Sequence, residues 1–248
     1  MTHEDSTRSL DETIAARIDA VRMRMRAACA RSGRSPSSVT LMLVTKTVER
    51  ERIDAAIRAG HRLFGENRVQ EAVRKFSDET ADALEVHMIG HLQTNKVAAA
   101  LRVTSAIHSI DRLPLVESLE RRIPTGTRMP VYLQVNTSNE ASKFGVVPED
   151  ALELARRITD SPALELRGLM TIALLSAEAE RVRPCFRKLR EIRDDLLARG
   201  IPTAGELSMG MTSDFEVAIE EGATLVRVGT AVFGARPTPD SDYWPSSG

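Results

Sequence analysis

Two groups of residues in this sequence have the types and spacing to do chemistry together. The first is Lys46. It ends the apolar run Leu41-Met42-Leu43-Val44-Thr45 and is the only lysine in the first 74 residues. An ammonium at the mouth of an apolar strand is poorly hydrated, and desolvation lowers its pKa and makes the amine a better nucleophile. That suits Schiff-base formation with a carbonyl compound. The plain alternative is a lysine that reaches past a strand end into water. The second group is a pair of small-residue segments, Ser208-Met209-Gly210-Met211-Thr212-Ser213 and Gly229-Thr230-Ala231, the latter followed by Phe233-Gly234. Glycine lets backbone N–H groups approach an anion and hydroxyls add donors, as in phosphate-binding loops. The alternative is ordinary turn and cap chemistry, with Thr212 or Ser213 as a helix N-cap. Arg227 stands two residues before Gly229, on the same side of any strand that holds both. It could meet a ring nitrogen beside a bound phosphate, or pair with an acidic side chain for structural reasons.

Other candidates carry less. His87 and His91 are four apart, but they straddle a predicted strand end with no cysteine or third histidine nearby, so no metal site is expected. Glu66 and Asp111 could serve as acid or base, and the sequence supplies neither with a partner. Cys29 and Cys185 lie far apart outside any CxxC pattern and read as core residues in a reducing, cytoplasmic setting.

The elements that would position these residues alternate. Apolar runs at 41–45, 62–64, 86–89, 106–109, 131–135, 166–171, 206–208 and 225–228 read as strands. Helix-period segments at 50–59, 69–76, 93–101, 113–121, 148–158, 179–199 and 213–221 separate them. One further helix precedes the first strand, with Leu10, Ile14, Ile18, Val21, Met25 and Ala28 at steps of three and four. Alternation of this kind predicts a parallel sheet with helices outside, and eight units predict a single closed (β/α)8 barrel with an extra N-terminal helix. An open doubly wound sheet is the other possibility, but no GxGxxG follows the first strand. In such a barrel the site lies at the C-terminal ends of the strands. Lys46 and the two small-residue loops then face one mouth and describe a site for a phosphorylated aldehyde or ketone. Pyridoxal 5′-phosphate (PLP) fits, and so does a phosphorylated sugar.

The 248 residues suit one large domain. Residues 1–8 read as a flexible polar N-terminus, 9–236 as the barrel and 237–248 as a loose tail rich in Pro, Ser and Asp. A net charge of −1, from 34 basic and 35 acidic side chains, leaves no global footprint for nucleic acid or an anionic membrane. No apolar run approaches the ~20 residues of a membrane helix, and residues 1–8 lack a signal-peptide core.

At these residues the sequence resembles the PLP homeostasis protein family, also called the YggS/PROSC family. The resemblance runs from about Leu10 to Arg236. Its carrying segments are Leu43-Val44-Thr45-Lys46-Thr47, Phe64-Gly65-Glu66-Asn67-Arg68-Val69-Gln70-Glu71 and His87-Met88-Ile89-Gly90-His91-Leu92-Gln93-Thr94-Asn95-Lys96. His108-Ser109-Ile110-Asp111-Arg112, Lys143-Phe144-Gly145 and Arg167-Gly168-Leu169-Met170 follow. Leu207-Ser208-Met209-Gly210-Met211 and the stretch from Val226-Arg227-Val228-Gly229-Thr230 to Phe233-Gly234-Ala235-Arg236 complete the set. The resemblance implies the barrel of the alanine racemase N-terminal domain, PLP fold type III. It implies a Schiff base between Lys46 and PLP, Arg227 facing the pyridine nitrogen, and Ser208, Gly229 and Thr230 holding the phosphate. Asn67 and Met209 would line the pocket. Thr45 stands where the family often has Ser, Val48 where Lys is frequent, Arg68 where Tyr is usual and Thr212 where Ser is usual.

Racemisation on PLP needs a second base on the opposite face, and alanine racemases take a Tyr for it from a second domain. Here Tyr132 lies in the fifth strand and Tyr243 in the tail, and no residues remain for such a domain. An Arg at the pyridine nitrogen also disfavours the protonated ring that acts as electron sink. Both points favour binding over catalysis, and the absent second domain, which dimeric alanine racemases use in their interface, favours a monomer. The resemblance implies a carrier or buffer of PLP in vitamin B6 homeostasis, passing the cofactor to apo-enzymes. A weak single-domain amino-acid racemase and a Schiff-base aldolase acting on a phosphosugar are the alternatives.

Overall fold

The computed structural model describes residues 3–77, 84–138, 140, 143–174, 176 and 178–235. Eight strands form a closed parallel barrel in chain order: β1 (Thr40–Val44), β2 (Leu63–Glu66), β3 (Glu85–Met88), β4 (Ala106–Ile110), β5 (Met129–Gln134), β6 (Leu164–Met170), β7 (Glu206–Ser208) and β8 (Leu225–Val228). The first strand closes the ring on the last, with Met42 beside Arg227 and Leu43 beside Val228. The described residues also form nine helices: α1 (His3–Arg31), α2 (Arg50–Arg58), α3 (Val69–Phe76), α4 (Val97–Ala100), α5 (Leu113–Glu120), α6 (Ala151–Thr159), α7 (Arg183–Ala198), α8 (Phe215–Glu220) and α9 (Thr230–Phe233).

The predicted barrel is the observed one, with local differences. The first helix begins at His3, inside the stretch expected to be a flexible N-terminus and ahead of the apolar stripe that starts at Leu10. The segment expected to be helical at 93–101 splits into a 3₁₀ turn, Thr94–Lys96, and the short α4. Helix α8 starts two residues later than expected, with Asp214 rather than Thr212 or Ser213 at its N-cap. The tail expected at 237–248, Tyr243 included, lies outside the described residues, as do residues 1 and 2. No helix among the described residues is long and apolar enough to cross a membrane.

Outward-facing strand residues such as Leu43, Phe64, Ile107, Leu133, Leu169, Leu207 and Val226 pack under the helices in one core, joined by Cys29 and Cys185. The barrel interior differs. Register and the two-residue alternation of strands put Met42 and Val44 of β1, Gly65 of β2 and His87 of β3 on the inside. Ala106 and His108 of β4, Tyr132 of β5, Gly168 of β6, Ser208 of β7 and Arg227 of β8 join them. Small residues make the space that the large polar ones fill. A Cβ on Gly168 would stand 2.0 Å from the Glu206 carbonyl oxygen, so β6 and β7 approach closely only because that position is glycine. The interior therefore holds a polar chain where many barrels hold layers of branched aliphatics.

Candidate functional site

Lys46 follows β1 directly and is buried, at 9% exposure. Its two flanking peptides are held by one ion cluster. The buried ammonium of Lys75 donates to the Thr45 carbonyl (2.7 Å), to Glu66 Oε1 (2.8 Å) and to Glu71 Oε2 (2.9 Å). The Thr45 hydroxyl also donates to Glu66 Oε1 (2.7 Å), and the Thr47 N–H donates to Glu71 Oε2 (2.9 Å). Burial pushes the Glu66 carboxyl up, and Lys75 and Thr45 oppose that shift. For Glu71 the order of causes is burial upward, then the Thr47 N–H and Lys75 downward, with a net lowering. Thr47 takes φ 61°, the only positive value at a non-glycine position among the described residues, and its buried hydroxyl has no partner there. A β-branched residue in this region is strained, and such strain persists only where the surroundings impose it. The cluster so imposed sits one residue from Lys46.

Arg227 is buried inside the barrel. Its Nη1 donates to the Ser208 carbonyl (2.6 Å) and hydroxyl (2.8 Å), and its Nη2 donates to the Thr171 carbonyl (2.8 Å). Burial lowers its pKa to about 10, against a smaller upward pull from Asp214, so it stays a cation at neutral pH. In place of the structural ion pair considered for it, the guanidinium makes hydrogen bonds to Ser208 of β7 and to Thr171 just after β6. The Ser208 hydroxyl also meets His108 Nδ1 (3.0 Å), and His108 Nε2 meets His87 Nδ1 (3.0 Å).

The two small-residue loops adjoin this arginine. The Arg227 N–H donates to Gly210 O (3.0 Å), tying the loop after β7 to β8. Gly210 needs its positive φ of 90°, and a Cβ there would stand 2.5 Å from Ala218 Cβ. Asp214 closes the same loop by accepting from the Met211 N–H (2.6 Å). After β8 the chain turns straight into α9, a helix too short to leave a periodic signature in sequence. The first intrahelical bond runs from Val232 N to Gly229 O, so the N–H groups of Thr230 and Ala231, both half-buried, precede it. At the other end of α9, Arg17 donates to the Val232 carbonyl (3.2 Å) and Arg52 to the Phe233 carbonyl. Cations on the last carbonyls complement the helix dipole.

A cavity of about 650 Å³ opens on the other side of the mouth. Asn67, Gly90, His91, Lys96, Lys143 and Phe144 are among its lining residues. His91 stacks on Phe144 (3.8 Å between ring centres), with Nδ1 3.5 Å from Asp111. Lys143 donates to the Ala173 carbonyl and meets the Glu140 carboxylate, each at 3.0 Å.

Register brings Lys46, Asn67, Gly229 and Thr230 to one end of the barrel, since Val44 pairs with Gly65 and Leu43 with Val228. Ser208 and Arg227 lie inside, below that rim. Of the expected site residues only Asn67 lines this cavity, and Met209, directly after β7, is fully buried in the core. His87 and His91 go to different neighbours. Glu66 finds Thr45 and Lys75, and Asp111 finds His91 and Arg112. Sequence reasoning missed Lys75, Glu71, Thr171 and His108, whose roles come from partners distant in the chain.

Residues 17–237 match the family model of the alanine racemase N-terminal domain. The pyridoxal phosphate homeostasis protein of Aquifex aeolicus is 42% identical over 221 residues, covering 89% of this chain and 97% of that one. Its counterpart from Pseudomonas aeruginosa is 44% identical over 225 residues, covering 90% and 96%. The chain belongs to the pyridoxal phosphate homeostasis protein family. Solved structures agree. PipY of Synechococcus elongatus, determined with PLP bound, superposes with a TM-score of 0.77 at 35% identity, covering 89% of this chain and all of that one. Alanine racemase from Corynebacterium glutamicum, at 16% identity and a TM-score of 0.67, shares the fold over 62% of its length. Within the pyridoxal phosphate homeostasis protein family the expected site residues thus sit on a barrel of the expected kind.

Proposed function

We propose that this chain binds PLP covalently through Lys46 and carries or buffers it in vitamin B6 homeostasis, without turning over a substrate of its own. The observation that carries the reading is the pairing, at one barrel mouth, of a buried, backbone-clamped Lys46 with a buried cationic Arg227. PLP supplies an aldehyde, which condenses reversibly with a primary amine. The residues present fit it. Lys46 offers the amine. Gly229 and Thr230 offer the phosphate the backbone N–H groups of the first turn of α9 and a hydroxyl, with Ser208 at the joint between phosphate and arginine. Arg227 would meet the pyridine nitrogen as a donor and keep that nitrogen unprotonated, withholding the electron sink used in most PLP reactions. Asn67 would border the ring, and Met209 supports the loop after β7 from the core.

Two features support carrier over racemase. Tyr132 gives its hydroxyl hydrogen to Glu206 Oε2 (2.5 Å) at the opposite end of the barrel interior, and burial raises its pKa further from any role as base. The open cavity beside Asn67 offers a route by which PLP enters and leaves. On this reading residues 9–236 act as one unit, a cytoplasmic monomer that exchanges PLP with apo-enzymes.

The test is an absorbance spectrum of the protein incubated with PLP, before and after borohydride, beside Lys46→Ala. The expected result is a visible band in the wild type, fixed by reduction to the peptide carrying Lys46 and absent from the variant. No band in the wild type, or an unchanged band in Lys46→Ala, overturns the reading.

A further inference from the structure

The hydrogen-bonded side chains inside the barrel form one line: Arg227, Ser208, His108, His87. Its polarity follows from counting hydrogens. A guanidinium only donates, so the Ser208 hydroxyl accepts from Arg227 Nη1 (2.8 Å). Ser208 is fully buried, and its own hydrogen needs an acceptor. His108 Nδ1, 3.0 Å away, is that acceptor, which leaves the ring hydrogen of His108 on Nε2. That N–H points at His87 Nδ1, again 3.0 Å away, and so places the hydrogen of His87 on Nε2 as well. The far end agrees independently: His87 Nε2 faces the Glu85 carboxylate at 3.8 Å, where an N–H is favoured and a lone pair is not. The opposite polarity would leave the serine hydrogen without an acceptor and set a lone pair against that carboxylate. Stacking of Tyr132 on His108 (3.9 Å between ring centres) holds the ring in place.

We propose that His108, backed by His87, is a positioning residue for Arg227. It acts through Ser208, with both imidazole hydrogens on Nε2. The line fixes the direction of the guanidinium and spends the Ser208 hydrogen on His108, so that serine serves the arginine first and the phosphate less than its neighbours Gly229 and Thr230. Burial disfavours a second proton on either ring, and Arg227 adds to that at His108. The functional part of this inference rests on the PLP reading above; the tautomers do not.

The experiment has two arms. In the first, 15N spectra of the imidazoles in PLP-free protein near neutral pH should show Nδ1 bare and Nε2 protonated at both His87 and His108. A protonated Nδ1 at His108 overturns the proposal. In the second, PLP binding is titrated for His108→Leu, His108→Asn and Ser208→Ala. His108→Leu should weaken PLP about tenfold and shift the absorbance maximum of the Lys46-bound form. His108→Asn, which restores an acceptor near Nδ1, should recover most of both. Ser208→Ala should reproduce the shift and add nothing when combined with His108→Leu, the non-additivity expected of one relay. Additive effects, or a His108→Leu spectrum identical to wild type, overturn it. If His108→Leu fails to fold, Ser208→Ala and the tautomer spectra decide. A wild type that forms no band with PLP sinks the functional reading alone, and the tautomer arm still stands.

Discussion

Around Lys46 and Arg227 short hydrogen bonds and a buried ion pair join the elements, whereas across the same mouth, between Asn67, Lys96 and Lys143, a cavity of about 650 Å³ stands open. The first side is rigid because its parts come from β1, β2, α3, β7 and β8 and constrain one another. The second is lined by the cationic side chains of Lys96 and Lys143 and by a partly exposed Phe144 stacked on His91. Holding and exchanging a ligand are opposed demands, and on the proposed reading they fall to different parts of the mouth, with Glu71 belonging to both.

The comparison breaks most severely at Lys75. Lys75→Met strands two carboxylates, Glu66 and Glu71, one of them fully buried, and losing one partner of a buried ion pair costs about 3–5 kcal/mol. Urea unfolding should show that loss, with Glu66→Gln in the same chain restoring part of it. A loss under about 1 kcal/mol would mean that the clamp is loose. Acid attacks the interior next. His61 and His87 are held neutral chiefly by burial, with pKa values lowered to about 4, and His108 lies well below its usual value. Between pH 6.5 and 4 the unfolded chain takes up protons that the folded one refuses, so stability falls as pH falls. Each histidine contributes roughly 1.4 kcal/mol per pH unit across that window. Urea midpoints measured from pH 7 to 5 should show the slope, and His61→Asn should reduce it by one proton.

A smaller effect of opposite sign is expected at Thr47. Thr47→Gly relieves the positive φ and should stabilise the chain by about 1 kcal/mol while weakening PLP binding at the adjacent Lys46. Thermal melting and PLP titration on one sample check both halves, and a variant that gains stability without losing affinity would make the strain incidental. The smallest effect belongs to the open side. Lys96→Ala should alter stability by less than about 0.5 kcal/mol, since it removes only a half-buried surface cation, and should change the rate of PLP exchange more than its affinity.

The barrel was legible because its eight apolar runs and intervening helices alternate with little interruption. The placement of Lys46 and Arg227 followed from two local facts, a strand end and a two-residue period. Helix α9 escaped because Thr-Ala-Val-Phe is too short to show a 3.6-residue repeat. The polar interior escaped for another reason. His108 reaches His87 across 21 residues and Ser208 across 100, and Lys75 reaches Thr45 across 30. Such partners are set by strand register, which a single sequence leaves open. Glu66, which had no visible partner in sequence, shows the gap most simply.

The β1–β8 seam carries a consequence for how the site comes into being. Lys46 follows the first strand and Arg227 lies on the last, and the seam that joins them pairs residues roughly 185 positions apart, among the longest loops the chain must close. A ribosome that has made the lysine must still make seven more strands before the arginine and the cup at Gly229 exist. If Lys46 and Arg227 hold PLP as proposed, no partly synthesised chain has both, and a ligand that binds only the closed ring pulls late-folding chains toward it by mass action.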